Sequence, residues 1–189
     1  IGVNKTYIDS LNIDADTLDG EQGSYYLDYN NFTNTPAGSG PTFIKLKSND
    51  DTTDFNTGSN VAVPWDTNLI NEGGSTISHS TTVNNTRIEA EVDGYYRVTF
   101  NARLLSSTQR VAPQFGILKN GSNLLLDVAS HTYIRTLDGH SHSSVNFSTI
   151  VDLSAGDYIE IVNSAVDGNS GTVRLTRNTS LVVEKYEIG

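Results

Sequence analysis

Two histidines one residue apart, His140 and His142, have the spacing of a metal-binding pair. On an extended strand, residues at i and i+2 point to the same side, so both imidazoles can reach one ion. Around an axis shared by three chains, such pairs would supply six nitrogen ligands, which suits an octahedral transition metal. The more ordinary interpretation is a polar loop, because Asp138-Gly139 precedes the pair and Ser143-Ser144 comes after it. We therefore predict no cofactor and keep this pair as a weak metal candidate.

The motifs of common enzymes are absent from the sequence. It has no Gly-Xaa-Ser-Xaa-Gly elbow, no phosphate-binding glycine loop and no His-Glu-Xaa-Xaa-His motif. Because cysteine is absent, thiolate zinc sites, cysteine nucleophiles and disulfides are excluded. Acidic residues at 14–19 lack the full ligand pattern of a calcium loop, and a second acidic patch at 50–54 is a solvated loop or, as the lesser alternative, a calcium site. We predict that the protein is not an enzyme, and glycan cleavage by paired carboxylates stays open as an alternative.

The composition of the chain excludes further classes of function. The 189 residues include 22 acids and 12 bases, for a net charge of −10, which argues against a nucleic-acid partner. No apolar run has the length of a membrane span, so we predict no membrane insertion. Because the chain opens with Ile1 and contains no methionine, we expect a processed product or a piece of a longer protein.

The elements that must position any site are short strands. The clearest period-two pattern runs over 95–104, where Tyr96, Val98 and Phe100 share one face. Turn residues separate this strand from its neighbours, and Asp93-Gly94 is predicted to be a hairpin turn. The other predicted strands are 42–47, 61–65, 87–92, 115–119, 123–129, 144–153, 157–163 and 180–188. About ten short strands predict an all-β fold, an antiparallel jelly-roll β-sandwich.

The first 41 residues differ in character from the rest of the chain. They contain few aliphatic side chains, and they end in a linker-like stretch at 34–41 that is rich in Gly and Pro. Such a segment cannot bury a core of its own, so it needs a partner. We predict two parts, an N-terminal shaft or neck segment over 1–41 and a globular domain over 42–189.

Three motifs in the second part carry a resemblance. They are Gly-Tyr-Tyr-Arg-Val-Thr-Phe at 94–100, Ile-Leu-Lys-Asn-Gly at 117–121 and Leu-Ser-Ala-Gly-Asp-Tyr-Ile at 153–159. In this order and spacing they resemble the globular heads of complement-type and tumour-necrosis-factor-like proteins. That family forms jelly rolls that assemble as compact trimers. The resemblance covers residues 42–189 and implies a homotrimeric jelly-roll knob.

A second resemblance lies in the first part. Ala-Asp-Thr-Leu-Asp-Gly at 15–20 and Tyr-Tyr-Leu-Asp-Tyr-Asn-Asn-Phe-Thr-Asn-Thr-Pro at 25–36 look like segments that recur in tail-fibre proteins of tailed bacteriophages. In fibres such segments are trimeric shaft or neck elements. The resemblance implies a phage fibre on the virion, extracellular, with an upstream shaft and a knob.

The order of the strands suggests where this knob would bind. Tight turns alternate with long connections, so in an antiparallel sandwich the long connections 106–112, 132–143 and 164–172 share one end, the tip. Polar loops on a rigid scaffold commonly carry binding residues. The candidate receptor-binding residues are Gln109, Arg110, Tyr133, Arg135, Asp138, His140, Asp167 and Asn169, and His142 lies in the same connections. For the trimer interface we predict Tyr95, together with Tyr158 or Tyr186, because aromatic residues are enriched in such contacts.

These inferences combine into one functional hypothesis. We predict a non-enzymatic, homotrimeric fibre knob that binds a glycan or an outer-membrane protein on a bacterial host and attaches the virion. The first alternative is a structural head or neck fibre, or a capsid decoration, with no receptor role. The second is a glycan-cleaving enzyme, and a bacterial or spore-coat adhesin with the same head also stays open.

Overall fold

A computed structural model describes residues 41–56, 60–107, 110–135, 139–168 and 171–186, without the side chains of residues 126 and 165–168. The predicted shaft or neck segment lies outside the described residues, apart from Pro41 at its end. Among the described residues, no helix has the length and hydropathy needed to cross a membrane.

Eleven antiparallel strands form two sheets in the described part of the chain. They are β1 (Phe43–Ser48), β2 (Thr67–Glu72), β3 (Ile77–Ser78), β4 (Arg87–Ala90), β5 (Gly94–Ser106), β6 (Val111–Lys119), β7 (Asn123–His131), β8 (His142–Leu153), β9 (Tyr158–Gly168), β10 (Val173–Leu175) and β11 (Thr179–Tyr186). The first sheet has the order β10-β5-β11-β1-β2, with β8 on the other side of β5, and the second has the order β3-β4-β9-β6-β7. The predicted all-β sandwich is confirmed.

β5 lies at the centre of the first sheet because both of its edges are paired. It aligns with β11 from Tyr95 to Asn101 and with β8 along nearly its whole length. The predicted alternation is confirmed: Tyr96, Val98 and Phe100 are buried between the sheets. Phe100 packs near three other rings, with centroid distances of 6.3 Å to Trp65, 5.6 Å to Phe115 and 5.3 Å to Phe147. These rings join residues from both sheets into one core.

The turn at Asp93-Gly94 is not the hairpin that the sequence predicts. β4 belongs to the second sheet and β5 to the first, so the turn carries the chain across the sandwich. The side chain of Asp93 accepts a hydrogen bond from the backbone N–H of Ala155, at 2.8 Å. A turn motif predicts that the chain reverses direction, but it does not predict which sheet the next strand joins. That depends on where the apolar face of the strand is buried.

The predicted strand over 61–65 is also absent. This segment forms one isolated bridge, Ala62 to Val162 on β9, and continues as irregular backbone. Val63 donates a backbone hydrogen bond to Ile161 at 2.8 Å, while Trp65 is fully buried in the core. Pro64 has no N–H to donate, which prevents a regular ladder here.

Candidate functional site

Three tight turns meet at one end of the sandwich, which we call the base: Asp93-Gly94, Asn120-Gly121 and 154–156. Gly156 donates to the carbonyl oxygen of Ala90 at 2.8 Å, and Asn120 donates to that of Tyr158 at 3.0 Å. Tyr186, at the end of β11, pairs with Tyr95, and Phe43, at the start of β1, pairs with Glu184. The two ends of the described unit therefore also lie at the base.

Asp157 connects two of these turns through its carboxylate. Its Oδ2 lies 2.7 Å from Lys119 Nζ, and its Oδ1 accepts a hydrogen bond from Asn120 Nδ2 at 2.7 Å. The backbone N–H of Ser154 also donates to Oδ2, at 2.8 Å. The hydrogen bond from Lys119, followed by those from Asn120 and Ser154, lowers the pKa of Asp157 from 3.8 to about 2. The carboxylate is therefore ionised at neutral pH.

The long connections meet at the opposite end, the tip. Ser106 donates a backbone hydrogen bond to Ser141 at 3.0 Å, and the hydroxyls of Ser107 and Thr172 lie 2.8 Å apart. A backbone bridge links Val111 with Ile134. The shared end that strand order predicts for the long connections is thus seen in their described parts.

The Val111–Ile134 bridge brings three of the predicted receptor-binding residues together. In an antiparallel bridge, the residues on either side are also neighbours, so Arg110 adjoins Arg135 and Tyr133 lies across from Ala112. Both arginines are exposed, and Tyr133 is 55% exposed. The backbone of Arg110 has a positive φ of 62°, in the left-handed region that residues other than glycine rarely adopt. This group of three, Arg110, Tyr133 and Arg135, is called the tip cluster.

The other predicted site residues are less fully described. His140 is exposed and comes directly after Gly139, while Asp167 lies on β9 with its side chain outside the described atoms. Gln109, Asp138 and Asn169 lie outside the described residues.

The histidine pair does not assemble a metal site within the described part of one chain. His142 begins β8, and its Nδ1 lies 3.1 Å from the hydroxyl of Ser141. The described residues contain no group of three His, Cys, Asp or Glu side chains placed to hold an ion. A site shared by several copies of the chain stays a prediction.

Two of the three tyrosines predicted at the trimer interface share one surface. Tyr95 and Tyr186 are paired neighbours on the outer face of the first sheet, 44% and 45% exposed. Tyr158 does not join them, because it lies on β9 in the second sheet, where the Arg87 guanidinium is 4.2 Å from its ring centre.

Ile150 extends this surface, and the sequence prediction missed it. It pairs with Arg97 on β5 and is 52% exposed. Arg97 also lies 3.6 Å from the carboxylate of Glu184 and 5.5 Å from the ring centre of Tyr186. The signal was present, because Ile150 is an apolar residue on the polar side of an alternating strand. Tyr95, Tyr186 and Ile150 together are called the sheet-face patch.

Comparison with solved structures identifies the fold. Eiger, a TNF from S. frugiperda, is 13% identical and has a TM-score of 0.56, over 79% of this chain and 94% of that one. Murine APRIL at pH 5.0 is 13% identical with a TM-score of 0.55, over 78% of this chain and 100% of that one. The fold is a TNF-like jelly roll. At this identity the likeness concerns the fold alone. No family model matches the chain, and no curated protein sequence is significantly similar to it.

Proposed function

We propose that this chain is the receptor-binding knob of a bacteriophage fibre. As a non-enzymatic homotrimer, it would attach the virion to a glycan or an outer-membrane protein on a bacterial host. The observation that carries this proposal is the gathering of Arg110, Tyr133 and Arg135 at the tip, opposite the end where the described unit begins and finishes. A fibre that enters at the base would present this cluster outward.

The chemistry of the tip cluster suits short-range recognition. Arg110 and Arg135 have no ion-pair partner in the part of the chain that the structure describes, so both can bind a carboxylate or a phosphate of a receptor. The exposed ring of Tyr133 offers a flat apolar surface for a sugar. Net charges of −10 per chain would not attract an anionic cell surface at long range. Several knobs acting together would supply the binding strength.

The phage assignment rests on the N-terminal resemblance. Residues 15–20 and 25–36 are similar to shaft or neck segments of tail fibres. A trimeric shaft would require a trimeric knob, and the sheet-face patch offers the apolar surface for that assembly.

Adsorption competition tests the proposal. The purified chain is expected to bind bacterial cells and to compete with adsorption of the parent phage. The triple variant R110A/Y133A/R135A is expected to lose this binding while it keeps its assembly mass and melting temperature. Exposed loop substitutions change stability by only about 0.5 kcal/mol. Undiminished cell binding by the triple variant would move the receptor site away from the tip.

A structural fibre or decoration role is the second candidate, and the net charge of −10 per chain favours it. Such a protein would assemble as a trimer but would neither bind cells nor compete with the phage. The same competition assay therefore separates the two roles.

A further inference from the structure

Three arginines, none of them in the tip cluster, lie near the tip end of the first sheet. Arg103 lies on β5, and Arg174 lies on β10 directly opposite Leu105. Arg177 lies in the turn between β10 and β11. A backbone hydrogen bond from Thr176 to Arg103, 2.9 Å long, holds this turn against β5. All three arginine side chains are exposed.

Like Arg110 and Arg135 of the tip cluster, these arginines are not neutralised by a neighbouring carboxylate in the described part of the chain. None of the three forms an ion pair or a side-chain hydrogen bond within the stretches that the structure describes. By contrast, Arg87, Arg97 and Lys119 each lie within 4 Å of a carboxylate, at 3.8, 3.6 and 2.7 Å. Three neighbouring arginines without a partner therefore form a local positive patch in a sequence with 22 acids and 12 bases.

Arg174 and Arg177 border a groove made of two adjoining depressions of about 310 and 370 Å³. Leu105 and Arg174 line both depressions, so the two lie next to each other. The first is also lined by Arg177 and Asp51. The second is also lined by Ser107 and Thr172, whose hydroxyls lie 2.8 Å apart.

This combination of groups fits one kind of ligand. Guanidinium groups bind carboxylates and phosphates through paired N–H donors. The hydroxyls of Ser107 and Thr172 satisfy each other only in part, since each hydroxyl can donate once and accept twice. Leu105, which is 38% exposed, offers an apolar contact between the polar groups.

We propose that this groove binds an acidic oligosaccharide. Its anionic group would lie against Arg174 and Arg177, its hydroxyls would bond Ser107 and Thr172, and a sugar ring would pack on Leu105. The proposal stands on the groove alone and does not require receptor binding at the tip cluster.

Three polymers that share the dextran backbone and differ in charge test the proposal, with the full chain as the binding protein. Carboxymethyl dextran and dextran sulfate are immobilised beside unmodified dextran, and binding is measured at a salt concentration of about 0.15 M, where distant charges are screened. We expect binding to one or both acidic polymers and none to dextran. The stronger of the two identifies the anionic group as a carboxylate or a sulfate-like anion. Equal binding to all three polymers, or to none, would overturn the proposal.

Matched variants locate the site. R174Q/R177Q is expected to weaken binding by more than about tenfold, since it removes two charged contacts. K45Q/K47Q changes the net charge by the same amount on the same sheet and is expected to bind like the wild type. Asp51→Asn is expected to strengthen binding, because it removes the one acid among the described residues that line the groove. Equal losses in both double variants would indicate non-specific attraction and overturn the proposal.

Two further measurements keep the alternatives apart. The variant S107A/T172V keeps the charges but removes the hydroxyls, so it is expected to weaken binding to the acidic polymer and to leave binding of inorganic sulfate unchanged. An unchanged affinity for the polymer would rule out the sugar. If R174Q/R177Q instead lowers the assembly mass, the arginines pair between subunits and the groove is not a ligand site. If the wild-type chain binds no acidic polymer but adsorbs normally to cells, only this inference fails, and the proposed receptor site at the tip cluster is unaffected.

Discussion

Asp157 couples the turns at the base through one carboxylate. Lys119 and Asn120 reach it from the β6–β7 hairpin, and Ser154 reaches it from the connection between β8 and β9. Because its pKa is about 2, below the ordinary 3.8, folding favours the ionised form. Its contribution to stability is therefore complete above the ordinary value and is lost as the pH falls toward about 2.

The lowered pKa of Asp157 predicts how the melting temperature of a variant at this position depends on pH. Asp157→Asn is expected to melt below the wild type at neutral pH, and the difference should shrink as the pH falls from about 4 to about 2. Calorimetric melts across this range measure it. The control is Asp152→Asn, an exposed carboxylate near the same turns whose side chain has no hydrogen bond among the described residues. A difference that stays constant with pH would show that the charge of Asp157 is not the cause.

Two glycines near or within the strands should respond to alanine in opposite directions. A Cβ at Gly73, between β2 and β3, would lie 2.4 Å from the carbonyl oxygen of Ile77 and 3.0 Å from Ile44 Cγ2. The backbone must move to accommodate it, at a cost of roughly 1–3 kcal/mol. At Gly116 on β6, the nearest atoms would be at 3.5 Å or more, an ordinary contact distance.

Gly73→Ala is therefore expected to lower the free energy of unfolding by about 1–3 kcal/mol. Gly116→Ala is expected to raise it by about 0.4–1 kcal/mol, because alanine restricts the unfolded chain. Urea unfolding of both variants measures the two effects. If Gly73→Ala were as stable as the wild type, the close approach of Ile77 would not constrain this turn.

How far strands can be predicted from sequence depends on how they are buried. β5 and β8 carry one buried face and one exposed face, so alternation revealed both of them. β2 is exposed along almost its whole length, and its position depends on pairing with β1, which leaves no periodic signal. β3 and β10 have two and three residues, too few for a period to appear. The start of β6 was missed because Pro113 lies within it.

The candidate site could also be predicted only in part from the sequence. Strand order alone placed the long connections at one end, and the structure adds that Arg110 and Arg135 are neighbours across a bridge. The arginine groove could not be found this way, because it depends on the register that sets Arg174 opposite Leu105. Pairing between strands distant in sequence is decided by the whole core and not by local residue patterns.

The assembly of the whole molecule provides another prediction. The sheet-face patch leaves two tyrosines and an isoleucine exposed on one surface, a concentration that favours a subunit contact. We expect the wild-type chain to be a trimer at micromolar concentration, with a mass three times the 20.5 kDa of one chain. Light scattering measures this mass.

Substitution of the patch should dissociate the trimer. Tyr95→Ser together with Ile150→Ser is expected to give a folded monomer, because central contact residues contribute about 2 kcal/mol or more each to association. Val83→Ser is the matched control, since Val83 is 67% exposed in the connection between β3 and β4. A trimeric double variant would place the contact on another surface, and a monomeric wild type would contradict the assembly itself.

The arrangement of β1 has a mechanical consequence. β1 starts at the base and runs toward the tip, and six of its residues pair with β11 on one side while five pair with β2 on the other. If the tip is held while the chain before Pro41 is pulled away from it, the tension acts along the axis of β1. The hydrogen bonds to its neighbours lie perpendicular to the strand. They would be loaded in shear, all together, and would not open one after another from an end. A domain pulled through such a strand would resist unfolding under tension more strongly than its thermal stability alone would indicate.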